Sequence, residues 1–76
     1  MRAYILIQTG VGDASAVAKE IGRIDGVLAS EHVTGPYDVV VEAEGRSLDD
    51  MTARVLRRLQ AIESVTRTIT CPIIRT

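Results

Sequence analysis

Seventy-six residues with a formal net charge of −1 make one small domain and leave no room for a second. An apolar fraction of 46% excludes a disordered chain, and the near-neutral charge lacks the basic footprint of a nucleic-acid binder. A single Cys excludes an internal disulfide, and no apolar run approaches the roughly 18 residues of a membrane span, so a soluble, cytoplasmic protein is expected.

Ala3 to Gln8 is a compact run of strand formers. Alternation places Ala3, Ile5 and Ile7 on one face and Tyr4, Leu6 and Gln8 on the other. Both faces are largely apolar, as in a central strand covered on both sides. Thr9-Gly10-Val11-Gly12 breaks the strand, and Asp13 is a good helix N-cap. Ala14, Val17, Ala18 and Ile21 recur at helical spacing, while Lys19, Glu20 and Arg23 fall off that stripe. Asp25-Gly26 is expected to end the helix.

Val27 to Thr34 reads as a second strand, with Val27, Ala29, Glu31 and Val33 on one face. Gly35-Pro36 signals a turn, and Tyr37 to Ala43 reads as a third strand, so the two form a hairpin. In the third strand Val40 points opposite to Val39 and Val41. Glu44-Gly45-Arg46 is a break. Ser47-Leu48-Asp49-Asp50 fits a capping box with Ser47 as N-cap and Asp50 three residues on. Leu48, Met51, Val55, Leu59 and Ile62 then form the stripe of a second helix. Val65 to Ile74 is the last strand, and Pro72 marks its end as an edge or a bulge.

The order is β-α-β-β-α-β, an α+β chain of the ferredoxin-like split β-α-β type. A four-stranded antiparallel sheet in the order 4-1-3-2 is expected, with both helices on one face. Without Phe or Trp, the core is left to Val, Ile, Leu and Ala with two Tyr. A chain this short removes only roughly 60% of its unfolded surface on folding, and small domains often gain stability by association. The sheet face away from the helices carries Val and Leu, and an exposed apolar face of this kind marks an interface. A symmetric dimer through that face is expected.

Thr66, Thr68 and Thr70 alternate along the last strand and are expected on the open face, with Ile69 and Cys71 in the helix-packed core. Threonine is also a common strand former. Asp38 is a carboxylate at the start of a buried strand, where it needs a partner. Gly35 and Tyr37 precede it in the turn. His32 is the only histidine, and no His, Cys or carboxylate spacing resembles a metal site, so no metal or other cofactor is expected. Arg54, Arg57 and Arg58 read as a solvated helix face. Gly10-Val11-Gly12 lacks the third glycine of a dinucleotide loop. No nucleophile–base pair or carboxylate dyad stands out.

Over nearly its whole length the chain resembles the ligand-binding domain of Lrp/AsnC regulators, also called the regulation-of-amino-acid-metabolism domain. The residues that carry the resemblance are Val33-Thr34-Gly35-Pro36-Tyr37-Asp38, Ile24-Asp25-Gly26-Val27 and Thr66-Arg67-Thr68-Ile69-Thr70. The resemblance implies dimers formed through the sheets, further assembly often to octamers, and effector pockets between dimers. It implies ligand-binding roles for Gly35, Tyr37, Asp38, Thr68 and Thr70, with backbone from Thr34 and Pro36. An amino acid suits these groups: Asp38 accepts from its ammonium, and hydroxyls and loop N–H groups donate to its carboxylate.

Typical members carry an N-terminal helix-turn-helix that binds DNA. Here Met1 stands at the first strand, so the expectation is a single stand-alone domain over residues 1–76. Such a module, without direct nucleic-acid or membrane contact, would sense an amino acid or join full-length relatives in mixed assemblies. A non-catalytic role is expected. The alternative is a small dimeric α+β barrel enzyme, for which His32, Tyr4, Tyr37 and Asp38 are the groups at hand.

Overall fold

The computed structural model describes residues 1–75. The strands are β1 (Arg2–Thr9), β2 (Val27–His32), β3 (Val39–Glu44) and β4 (Val65–Pro72). Helix α1 (Ala14–Ile21) follows β1. A second helical run follows β3, made of α2 (Leu48–Met51), a π-helical turn (Thr52–Leu56) and α3 (Arg57–Gln60). The sheet order is β2-β3-β1-β4, all antiparallel, as the element order led us to expect.

Register decides which side chains share a face, because residues directly opposite in a ladder project the same way. Ala3, Ile5 and Ile7 pair with Ala43, Val41 and Val39. All six are fully buried, and with Val17, Ile21, Met51, Val55 and Leu59 they form the core between sheet and helices. The opposite set, Leu6 against Val40 and Tyr4 against Glu42, lies on the open face.

Local chemistry sets the helix ends, with some departures from expectation. Asp13 holds the N-cap position of α1 but its side chain makes no capping bond. The helix stops at Ile21, before Asp25-Gly26, and Gly26 serves a turn with φ +100°. Ser47 does cap α2, its Oγ accepting from the Asp50 amide at 3.1 Å. The reciprocal half of the box is displaced by one residue: the Asp50 carboxylate accepts from the Arg46 amide at 2.9 Å, not from Ser47. The stripe of the second helix is Met51, Val55, Leu56 and Leu59, whereas Leu48 is exposed and Ile62 half-buried. Buried residues four apart drift by about 40° per step around an α-helix. The wider π turn between Met51 and Leu59 winds more slowly and keeps them over the sheet.

Both edge strands carry an irregularity. The β2–β3 register shifts between Val27 and Ala29, so Leu28 is the extra residue. This overturns the simple alternation: Val27 pairs with Ala43 on the helix side, while Ala29 and Glu31 pair with Glu42 and Val40 on the open side. A bulge inserts one residue and thereby inverts every later side chain. The β1–β4 register shifts between Gln8 and Thr9, which leaves Thr66 outside the pairing. Pro72 closes β4, an edge strand, as its missing amide requires.

Candidate functional site

The hairpin between β2 and β3 is anchored to the end of β1. The third strand begins at Val39, later than expected, and residues 33–38 form an irregular loop. Gly35 adopts φ +135°, a backbone that L side chains rarely take. The Val33 amide donates to the Asp38 carbonyl at 2.9 Å, and the Asp38 amide donates to the Ile7 carbonyl at 2.8 Å. Gln8 Nε2 donates to the Pro36 carbonyl at 3.0 Å. Asp38 Oδ2 accepts from the Thr9 amide at 2.8 Å. The partner that a half-buried carboxylate needs is therefore a backbone N–H at the irregular end of β1.

Asp38 borders a concavity of about 360 Å³ whose other polar lining comes from Thr9, the Gly10–Gly12 loop, Ser15 and His32. Nothing in the sequence drew the Gly10–Gly12 loop toward Asp38. The hairpin bond to Ile7 and the β1–α1 connection bring them together. His32 is exposed at the end of an edge strand, as expected, but its register with Val39 turns it to the helix side. Gly35 is exposed and Tyr37 half-buried in the hairpin loop.

The last strand is reversed relative to expectation. Thr68 and Thr70 pair with Ile7 and Ile5, so they face the helices. Gln60 Nε2 of α3 lies 3.5 Å from Thr68 Oγ1, which confirms the side. Ile69 and Cys71 pair with Leu6 and Tyr4 on the open face, and Cys71 is exposed rather than a core residue. Thr66 Oγ1 donates to the Gln8 carbonyl at 3.2 Å. Alternation predicts which residues share a face but not which face is covered. Being an edge strand, β4 leaves its helix-side threonines half-exposed, a place where an apolar residue is not required. Within one protomer, Val39 and Thr68 flank Ile7 from opposite sides, so β1 separates the hairpin from the threonines.

The open face presents Tyr4 and Leu6 from β1, Val40 from β3, Ala29 from β2 and Ile69 and Cys71 from β4. Arg2 and Glu42 form an ion pair of 2.9 Å at one end of it. Tyr4 on this face and His32 on the other lie on opposite sides of the sheet. The four groups considered for an enzyme are therefore not gathered into one cleft. Among the described residues no cluster of three or more His, Cys, Asp or Glu could hold a metal. No helix among the described residues is long and apolar enough to cross a membrane.

Away from the hairpin, Arg54, Arg57 and Arg58 are exposed, as expected, and Arg54 is also an ion-pair centre. It reaches Asp25 at 2.6 Å and Asp50 at 3.4 Å. The bond from the Arg46 amide, with Arg46 and Arg54 nearby, holds the Asp50 carboxyl below its ordinary pKa. The hydrogen bond and charge of Asp25, followed by Asp50, push the Arg54 guanidinium up.

The family model described as the Lrp/AsnC ligand binding domain matches residues 2–76. The structure of TTHA0845 from Thermus thermophilus superimposes with a TM-score of 0.90 at 27% identity, over 99% of this chain and 94% of that one. AsnC of E. coli matches with a TM-score of 0.82 at 23% identity, over 99% of this chain and 54% of its own. The transcriptional regulator NMB0573 from Neisseria meningitidis, in complex with L-Met, matches with a TM-score of 0.82 at 20% identity, over 97% of this chain and 49% of its own. The chain thus spans about half the length of these two regulators. No curated protein matches it.

Proposed function

Because the chain belongs to the Lrp/AsnC ligand-binding domain family, we propose that it is a non-catalytic module that binds a free amino acid and self-associates. The observation that carries this reading is the Asp38 carboxylate, fixed through one oxygen by the Thr9 amide beside a concavity of about 360 Å³. Its other oxygen has no protein donor among the described residues and is placed to accept from an ammonium. The volume falls within the range of small-molecule sites. The L-Met complex of the Neisseria regulator supports an amino acid as the ligand class.

Gly35, Tyr37 and Asp38 form the hairpin half of the site in this reading. Thr68 and Thr70 lie across β1 from it, so they serve the pocket only when a neighbouring protomer brings its last strand to this hairpin. Assembly and ligand binding are then one linked equilibrium: an amino acid that bridges protomers favours the assembly that contains the pocket. The first association step is a symmetric dimer through the open face, where Leu6, Val40 and Ile69 meet their copies.

The test is thermal unfolding against a panel of free amino acids, with native mass recorded alongside. A ligand at ~100 times its dissociation constant adds about 2.7 kcal/mol to the folded state. That is a shift of roughly ten degrees for a domain of this size. The expected result is a shift with one or a few amino acids on an oligomer, lost in Asp38→Asn. No shift with any amino acid at millimolar concentration, or an unchanged shift in that variant, would reject the reading.

A further inference from the structure

Four of the chain's nine lysines and arginines converge at the other end of β1 from Asp38. Arg2 opens β1, Arg46 lies in the loop before α2, Arg54 lies in the π turn and Arg75 follows β4. Together with Glu44 and Gly45 they line a concavity of about 570 Å³. Four distant segments of the chain thus bring guanidinium groups to one small space in a protein whose net charge is −1.

The acids around this space hold arginines without saturating them. Glu42 takes Arg2, and Asp25 and Asp50 take Arg54. A guanidinium carries five donors. Arg2 Nε is buried without an acceptor. Arg46 is 89% exposed, with a single 3.6 Å approach to Asp50. Arg75 makes no ion pair among the described residues. Glu42, Asp25 and Asp50 do not line the concavity, and among the described residues Glu44 is the only carboxylate side chain that does.

We propose that this concavity binds a small molecule bearing a phosphate or pyrophosphate group. Guanidinium forks match phosphate oxygens in pairs. A pyrophosphate has enough oxygens to engage arginines from several segments at once, whereas a single carboxylate satisfies one fork. The ion pairs to Glu42 and Asp25 fix the directions of Arg2 and Arg54, and the exposed Arg46 and Arg75 close on the anion. Since the surrounding acids nearly balance the arginines, directed hydrogen bonds rather than bulk charge hold the ligand. The site is separate from the amino-acid pocket proposed above.

The experiment is calorimetric titration of the protein with sodium pyrophosphate and, separately, inorganic phosphate, at constant ionic strength with sodium chloride as control. Saturable binding of pyrophosphate, tighter than of phosphate, is expected. The double variant Arg46→Ala/Arg75→Ala should weaken it roughly tenfold or more, with the ligand-free unfolding midpoint changed only slightly, because neither side chain is in the core and the exposed Arg46–Asp50 pair contributes little. Glu44→Gln should tighten it by removing an opposing charge from the lining. Absence of saturable binding, or equal affinity in the double variant, would overturn the proposal. Binding of a DNA duplex without binding of pyrophosphate would also overturn it, since the arginines would then serve a polymer backbone.

Discussion

The Thr9 amide donates to Asp38 Oδ2 at 2.8 Å, joining the last residue of β1 to the residue just before β3. The same carboxylate is therefore a structural acceptor and the proposed ligand contact, and the two roles can be separated by substitution. Asp38→Ala leaves a half-buried amide without a partner and should cost about 1–3 kcal/mol in chemical denaturation. Asp38→Asn keeps an oxygen acceptor for Thr9 and should cost less than about 1 kcal/mol, yet lose the charge that an ammonium requires. An amino acid binding Asp38→Asn as tightly as the parent would show that the carboxylate is structural only.

The open face offers a direct test of association. Leu6 and Val40 are register partners on it, and both are half-buried in the single protomer. Leu6→Asp or Val40→Asp places an unpaired charge where two sheets are proposed to meet, and desolvating it is strongly unfavourable. Sedimentation at a concentration where the parent is dimeric should show a monomer for either variant. A parent that is already monomeric at high concentration would reject the sheet-to-sheet dimer.

Asp50 gives a pH dependence of defined sign. Its folded pKa is lowered, chiefly by the Arg46 amide, so its contribution is present above the unfolded value. That contribution is lost as pH falls through the folded one. Unfolding midpoints measured from pH 7 to pH 2 should therefore decline below about pH 4. Asp50→Asn should start lower at neutral pH and converge with the parent in acid. Parallel curves for the two proteins would show that Asp50 contributes nothing through its charge.

Gly26 should tolerate no side chain. Its φ is +100°, and a Cβ there would lie 2.8 Å from Val55 Cγ2, a fully buried core residue. Gly26→Ala combines backbone strain with a core clash and should cost at least about 1–2 kcal/mol. The control is Gly12→Ala, which has φ +83° but meets nothing within 4 Å. It should show the backbone cost alone. Equal losses at the two positions would mean that the contact with Val55 relaxes freely.

Hydrophobic periodicity and turn signals are enough to read the order of elements and most of the core, and the element order points to the fold type whose sheet order the structure shows. Ile5 and Ile7, or Val17 and Ile21, announce a buried face through spacing alone. What spacing does not carry is the position of a single extra residue. Leu28 and Thr66 are ordinary as residue types, yet the register shifts beside them decide what the edge strands present. The faces of Thr68 and Cys71 differ from expectation for a related reason. On an edge strand either face can hold a polar residue, so composition does not say which one the helices cover. Asp38 could be singled out as a carboxylate in need of a partner. That the partner is the Thr9 amide, and that the Gly10–Gly12 loop closes beside it, depends on a contact across 29 residues.

The two irregularities also limit how copies can meet. They fall on the two outer strands, one on each. A bulged border bends away from the straight, unpaired ladder that another chain would need to extend the sheet sideways. Lateral growth into a continuous ribbon is discouraged on both flanks, while the flat of the sheet stays available. The proposed self-association would thereby be steered toward closed, countable assemblies instead of open-ended polymers.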